Sequence, residues 1–190
     1  MADEQNVKAV VIYESFFGNT ESIARAIAGG LRLEGVGAAA VDVVDAQGLD
    51  LDRFDLVVVG GPTHAFALSR PSTRDDAAAR GGDDRYATRG LREWLSGLPR
   101  CEGTHLAAAF DTRVSKVRHL PMSAARSAAR LLNERRFTLV DRPTGFVVQD
   151  VEGPLEQREM ERAIAWARSL ARKVQVRIEV ATDRRTQPGY

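Results

Sequence analysis

Four short runs of the sequence are apolar at every position, and stretches with helical periodicity separate them. The runs occupy residues 9–13, 56–59, 106–110 and 146–148. A continuous run is typical of a strand that is covered on both faces, whereas a strand with one wet face alternates apolar and polar residues. The runs therefore predict an α/β fold of the doubly wound class, in which a parallel sheet lies between two layers of helices.

A fifth run and four helical segments complete this pattern. Residues 41–45 contain two aspartates, as is typical of an edge strand with access to solvent. The clearest helix follows the first strand, where Ile23, Ile27 and Leu31 recur at a spacing of four. Five strands that alternate with helices indicate right-handed crossovers and helices on both faces of the sheet. The remaining helices are predicted at residues 91–98, 122–136 and 154–173.

Two segments do not fit this alternation. Residues 69–89 are rich in Arg, Asp, Ala and Gly, and a loop of that length is typical of a functional or mobile segment, with one short helix predicted to begin at Ser69. From residue 174 to Val180 apolar and charged residues alternate, which predicts an extra strand before a disordered end. The chain is accordingly divided into an N-terminal extension at residues 1–6, a domain at residues 7–173 and a C-terminal tail at residues 174–190.

Composition excludes several classes of protein. The chain has 190 residues and a net charge of +1, and this balance argues against nucleic-acid binding. Its one cysteine, Cys101, cannot form an internal disulfide, and its three histidines share no metal-ligand spacing, so no metal site is predicted. The acidic N-terminus does not resemble a signal peptide, and no apolar stretch approaches the roughly 18 residues of a membrane span. The sequence therefore predicts a cytoplasmic protein.

The turn after the first strand carries the residues that an anion needs. It reads Ser15-Phe16-Phe17-Gly18-Asn19-Thr20 and leads into the first helix, whose N-terminal N–H groups attract an anion. Because the turn contains no Lys or Arg, it favours a phosphate monoester held by neutral donors over a triphosphate. The Gly-rich signatures of a P-loop and of an NAD-binding fold are absent. The alternative is that Asn19 and Thr20 only cap the helix.

Two further loops are predicted at the same edge of the sheet. One contains Pro62, Thr63, His64 and Phe66, and the other is the segment Phe110-Asp111-Thr112-Arg113. Ligands of doubly wound sheets bind outside the carboxyl ends of the strands, so the three loops predict one pocket. For His64 the alternative is a loop histidine with no chemical role.

These residues make the sequence resemble the flavodoxin family over roughly residues 7–173. The phosphate turn with Ala24 beyond it matches specifically, whereas the other two loops match by position, and the Gly-Pro-Thr form is similar to that of related flavin-dependent quinone reductases. The resemblance implies a five-stranded parallel sheet of order 2-1-3-4-5 and FMN as the cofactor.

Carried over by position, the resemblance implies that the turn holds the FMN phosphate and that the other loops flank the flavin ring, with His64 and Phe66 as stacking faces. The family's usual Trp and Tyr at the ring have no counterpart in these loops, since Trp94 and Trp166 lie on predicted helices. The predicted cofactor-binding residues are Ser15, Phe16, Phe17, Gly18, Asn19, Thr20, Pro62, Thr63, His64, Phe66, Phe110, Asp111, Thr112 and Arg113.

A basic window adjoins the last loop. No carboxylate occurs between Asp111 and Glu134, while five basic residues do, namely Arg113, Lys116, Arg118, Arg126 and Arg130. Positive charge near a flavin favours its reduced anion, so one hypothesis is a reduction potential less negative than that of an acidic flavodoxin. A solvated helix face is the alternative, and docking of an acidic partner or of the extra phosphate of NADPH is another use.

The sequence thus predicts an FMN-binding electron-transfer protein that serves a redox partner protein or a small-molecule acceptor. It predicts no catalytic side chain, because the cofactor would carry the chemistry. Two alternatives stay open: an NAD(P)H-dependent flavin reductase that acts on quinones or similar acceptors, and a cofactor-free regulatory module of the same fold.

Overall fold

A computed structural model describes residues 7–101 and 105–186. The predicted N-terminal extension and the last four residues of the predicted tail lie outside this part. The strands are β1 Lys8–Tyr13, β2 Gly37–Asp42, β3 Leu56–Pro62, β4 Leu106–Val114, β5 Thr138–Leu139 and β6 Thr144–Val148. They form a parallel sheet in the order β2-β1-β3-β4-β5, with β6 also paired to β4, so the predicted order 2-1-3-4-5 and the doubly wound α/β fold are confirmed.

Helices cover both faces of the sheet. They are α1 Asn19–Leu33, α2 Pro71–Ala79, α3 Leu91–Gly97, α4 Ala124–Glu134 and α5 Glu159–Thr186. Neighbouring residues of one strand point to opposite faces, so Val11 packs in the core beneath α1 and α5 while Val10 packs in the core beneath α3 and α4. This double burial is why the central strands are apolar at every position.

The two edges of the sheet differ from the predicted strands. β2 begins at Gly37 and ends at Asp42, earlier than the predicted run, because the chain turns at Asp42, whose carbonyl accepts the N–H groups of Asp45 and Ala46. The fifth position is divided between β5, which pairs with the start of β4, and β6, which pairs with its end. β5 has only two residues, too few to produce a pattern in the sequence.

The segment at residues 69–89 is ordered into α2, which begins two residues after the predicted start of a short helix at Ser69, and a 3₁₀ turn at Asp84–Tyr86, where a loop was predicted. Pro71 occupies the start of α2, a position at which its missing N–H costs nothing. Arg74 of α2 is fully buried and forms two hydrogen bonds with Glu93 of α3, at 3.0 and 3.2 Å. This ion pair joins α2 to α3.

α5 differs from the prediction at both of its ends. It starts at Glu159 and not at Pro154, because residues 154–156 lie alongside β6, where Gln149 donates its N–H to Pro154 and Glu156 donates its N–H to Val147. It then continues to Thr186, so the predicted strand at residues 174–180 is wrong. Val174 is fully buried and Ile178 packs on the same core. Their spacing of four continues the helical stripe against α1 and outweighs the local alternation.

Candidate functional site

A cavity of about 320 Å³ opens at the carboxyl ends of β1, β3 and β4, and we call it the main cavity. Three loops that are distant in sequence line it, as the sequence predicts for the switch point of a doubly wound sheet. Ten predicted site residues are among its lining: Ser15, Phe16, Phe17, Asn19, Thr20, Pro62, Thr63, His64, Thr112 and Arg113.

The N-terminus of α1 leaves backbone donors open at this cavity. Gly18 precedes the helix in the left-handed region with φ 80°, and no side chain caps the helix. The N–H of Glu21 donates to Ser15 Oγ at 3.2 Å, whereas those of Asn19 and Thr20 have no protein acceptor in residues 7–101 and 105–186. Two aligned donors and the positive end of the helix dipole are therefore available to an anion.

Two polar side chains of the turn form hydrogen bonds with other loops. Asn19 donates its Nδ2 hydrogen to the carbonyl of Glu152 at 3.0 Å, and the hydroxyls of Thr20 and Thr112 share a hydrogen bond of 2.7 Å. The alternative that Asn19 and Thr20 only cap the helix is therefore not what the structure shows. The Thr20–Thr112 contact joins the turn to the loop after β4.

The N-terminus of α4 shows the opposite arrangement. Ala124 donates its N–H to Thr63 Oγ1 at 2.9 Å, and Ala125 donates its N–H to Asp111 Oδ2 at 2.9 Å. The side chain of Ser123 accepts the N–H of Arg126 at 3.3 Å. Protein groups thus accept the N–H hydrogens of these three residues. These donors are therefore not available to a ligand, unlike those of Asn19 and Thr20 in α1.

A buried tyrosine supports the turn from behind. The hydroxyl of Tyr86 accepts the N–H of Ser15 at 3.2 Å and donates to Asp42 Oδ2 at 2.5 Å. Burial, with the hydrogen bond to Asp42 adding to it, raises the pKa of Tyr86, which therefore stays protonated and able to donate. The 3₁₀ turn of the segment at residues 69–89 thereby fixes the backbone at the start of the anion-ready turn.

Aromatic rings form one wall of the main cavity. The ring of Phe16 contacts the rings of His64 and Tyr86 edge to face, each with centroids 5.1 Å apart. Burial lowers the pKa of His64, so its imidazole is neutral at pH 7. Neither Trp94 nor Trp166 lines the cavity: Trp94 donates to the carbonyl of Ala46, and Trp166 packs in the core on the other face of the sheet.

Four predicted site residues do not line the main cavity. Gly18 shapes the turn through its backbone, and Phe66 is an exposed residue that follows the lining residue Ala65. Phe110 packs into the core, where a Cβ at Gly60 would lie 2.1 Å from its ring. Asp111 is fully buried and accepts two hydrogen bonds from Arg113, at 2.7 and 2.8 Å, so it offsets the charge of the one basic predicted residue.

Sequence reasoning missed the contribution of α2 and of the segment after β6. The helical face of α2 was not predictable from a segment without clear periodicity, although its unusual length marked it as functional. The other missed residues adjoin predicted ones, end β6 or follow it. The added lining residues are Ala65, Thr73, Asp76, Ala77, Arg80, Val114, Val148 and Val151.

Two kinds of feature are absent from the described residues, namely a membrane-spanning helix and a group of metal ligands. No helix there is both long and apolar enough to cross a membrane. Nor does that part of the chain bring together three His, Cys, Asp or Glu residues in a group that could hold a metal ion.

The fold and the cavity define a doubly wound α/β protein with an anion-ready turn at the switch point of its sheet. Residues 10–71 match the model of a flavodoxin domain. No curated protein matches the sequence significantly.

Solved structures extend the similarity to the whole fold. A flavodoxin from the domain Archaea is 18% identical with a TM-score of 0.60, over 89% of this chain and 99% of that one. Oxidised flavodoxin 2 from Bacillus cereus is 20% identical with a TM-score of 0.61, over 88% of this chain and 99% of that one. A flavodoxin, WrbA-like protein from Agrobacterium tumefaciens is 16% identical with a TM-score of 0.56, over 89% and 98%. The matched segment and the shared sheet order show that the chain has a flavodoxin-like fold.

Proposed function

We propose that the chain binds FMN in the main cavity and transfers electrons to a redox partner protein or a small-molecule acceptor. The observation that carries this proposal is the open N-terminus of α1, where the N–H groups of Asn19 and Thr20 lack a protein acceptor. A helix end that is buried among loops without such partners is unusual unless a ligand completes it.

The residues present fit the phosphate end of FMN. Gly18 brings the backbone close without a side chain in the way, and the donors of Asn19 and Thr20 lie at the positive end of α1. The Ser15 hydroxyl, which accepts from Glu21, still has its own hydrogen to donate. The turn itself carries no cationic side chain, which suits a single phosphate monoester held by neutral donors.

The remaining walls fit a flat, largely apolar ring. Phe16 and His64 supply aromatic edges, while Val148 and Val151 supply aliphatic surface. A volume of about 320 Å³ lies at the lower end of the range for small-molecule sites, so part of the ring would remain open to a partner. Phe66, which is exposed and follows the lining residue Ala65, is available for contact with that partner.

When bound, FMN supplies one- and two-electron redox chemistry, which no side chain of this protein provides. The chain's own residues bind and orient the group. Thr20 and Thr112 hold two loops of the site together through their 2.7 Å hydrogen bond. His64 stays neutral and therefore adds no charge to the wall of the cavity.

The experiment compares FMN with riboflavin, which lacks the phosphate. Each is titrated into the cofactor-free protein, and quenching of flavin fluorescence reports the dissociation constant. We expect FMN to bind at least tenfold more tightly, since hydrogen bonds to a charged group each contribute about 1.5–3 kcal/mol. Equal affinity for the two flavins would contradict the assignment of the turn, and no binding of either would favour the cofactor-free regulatory module.

A flavin reductase that takes electrons directly from NAD(P)H is the second candidate. A second, arginine-lined cavity next to the main one favours it, because a phosphorylated electron donor needs positive charge near the flavin. Mixing the FMN-loaded protein with NADPH under anaerobic conditions separates the two activities. Rapid loss of the flavin absorbance supports the reductase, whereas an unchanged spectrum supports the carrier. A cytoplasmic location and the absence of a catalytic side chain remain predictions from the sequence.

A further inference from the structure

A second cavity, of about 380 Å³, lies beside the main cavity and shares Arg113 with it. Arg118, His119 and Arg126 also line it, and we call it the arginine cavity. Within the part of the chain that the structure describes, its lining includes no carboxylate. A concave site with charge of one sign raises the local concentration of oppositely charged ligands.

Arg113 is held in position before any ligand arrives. Asp111 accepts hydrogen bonds from its Nε and Nη2 atoms at 2.7 and 2.8 Å, and Asp111 is itself fixed by the N–H of Ala125. Gly145 provides the room for this guanidinium, because a Cβ there would lie 2.4 Å from Arg113 Nη2. The third nitrogen, Nη1, is not used by Asp111 and remains for another acceptor.

Arg118 and Arg126 carry charges that the described chain does not neutralise. Arg118 Nε donates to His119 Nε2 at 2.9 Å, which orients the guanidinium without cancelling its charge. Among the described residues neither arginine forms an ion pair, in contrast to Arg130 on the same helix as Arg126, which pairs with Glu134 at 3.2 Å. The arginine cavity therefore concentrates the positive charge of three arginines in one concave site, which differs from the dispersed charge of a solvated helix face.

The chemistry of the cavity selects the class of ligand. Guanidinium groups bind phosphate oxygens through paired, planar hydrogen bonds, which a compact ammonium cannot form. Leu120 and Val147 add apolar walls that suit the organic part of a small molecule. We propose that the arginine cavity is a second anion site, which binds the phosphoryl group of a small phosphorylated ligand next to the main cavity. A volume of about 380 Å³ is within the range of small-molecule sites, which favours this ligand over an acidic protein that would need a broad surface.

Isothermal titration calorimetry with inorganic pyrophosphate, at fixed ionic strength, tests the proposal. We expect saturable binding to the wild-type protein, weakened about tenfold by Arg118→Gln or Arg126→Gln, because each removes a charge-assisted hydrogen bond. Arg130→Gln is the matched control, since it removes one positive charge from α4 without touching the cavity. It is expected to change the affinity less than twofold. Circular dichroism checks that each variant is folded.

Several outcomes would overturn the proposal. These are the lack of saturable pyrophosphate binding, an equal loss in the Arg130→Gln variant, or binding of poly-L-glutamate without binding of pyrophosphate, which would indicate a protein partner instead. The affinity for FMN is measured in the same variants and should stay within twofold of the wild type, because Arg118 and Arg126 do not line the main cavity. Failure of FMN binding in the wild type would refute the proposed function. The pyrophosphate titration would still confirm or refute the anion site in the arginine cavity.

Discussion

The hydroxyl of Tyr86 lies 3.2 Å from the backbone nitrogen of Ser15, 71 positions earlier in the chain, and accepts its hydrogen. The same hydroxyl donates to Asp42 at the end of β2. One side chain thus connects an edge strand, the segment at residues 69–89 and the start of the anion-ready turn. The shape of that turn depends on a contact that no local property of the turn provides.

Replacement of Tyr86 by Phe should destabilise both the fold and the site. The substitution keeps the ring against Phe16 but leaves the Ser15 N–H without its acceptor. It also removes one hydrogen bond from Asp42, which keeps its contact with Arg85. We expect a loss of about 1–3 kcal/mol in the free energy of unfolding, measured by urea denaturation, together with weaker FMN binding. Tyr13→Phe is the control, because Tyr13 is a buried tyrosine outside the lining of the main cavity. An unchanged FMN affinity in Tyr86→Phe would show that the turn holds its shape unaided.

Removal of the Thr20 hydroxyl should weaken FMN binding selectively. In Thr20→Ala the bond to Thr112 is lost and the turn is released from the loop after β4. We expect the free energy of FMN binding to become about 1–2 kcal/mol less favourable, while that of riboflavin binding changes little. Fluorescence titration with both flavins measures this, and Thr138→Ala, at an exposed position of β5, is the control. A parallel loss for riboflavin would assign Thr20 a role in folding and not in phosphate binding.

Glu14 should make the protein less stable as the pH rises. Burial raises the pKa of this carboxyl above its ordinary value of 4.5. The folded state then holds a proton that the unfolded state has released, so the free energy of unfolding falls from about pH 4.5 upward through the raised pKa. Glu14→Gln removes this dependence of the free energy of unfolding on pH, while the glutamine side chain can still accept the N–H of Leu91.

Urea denaturation between pH 5 and pH 8 measures the effect of Glu14. Other groups titrate in both proteins, so the quantity of interest is the difference in free energy of unfolding between variant and wild type. We expect this difference to shift in favour of the variant as the pH increases. A difference that is independent of pH would show that Glu14 ionises normally in the folded protein.

Arg113 should raise the reduction potential of bound FMN. It is the one basic residue of the carboxylate-free window at residues 112–133 that lines the main cavity, and Asp111 offsets part of its charge. Arg113→Gln removes the positive charge and leaves the negative charge of the buried Asp111 without its counter-charge. Both effects disfavour a reduced, negatively charged flavin. Potentiometric titration should therefore give a more negative potential in this variant, with Arg130→Gln unchanged. Equal reduction potentials in all three proteins would show that the basic window is a solvated surface with no effect on the flavin.

Much of the site was predictable because its residues follow strands of known direction. The runs at residues 9–13, 56–59 and 106–110 are apolar on both faces, so their parallel arrangement brings Ser15, His64 and Thr112 to one edge. The directions of individual side chains were not predictable in this way. Phe110 and Asp111 are consecutive, yet one ring fills the space left by Gly60 and one carboxylate binds Arg113.

The sequence by itself determined the layered α/β fold, the strand order through its family resemblance and the anion-ready turn at the end of β1. These depend on local patterns, namely double burial, helical spacing and a turn rich in small and hydroxyl residues. Only the tertiary structure decided that α5 continues through Val174, that α2 lines the main cavity and that Arg113, Arg118 and Arg126 meet in a second cavity. Each of these depends on packing between segments that are far apart in the chain, where the burial of a side chain against a distant partner outweighs its local preference.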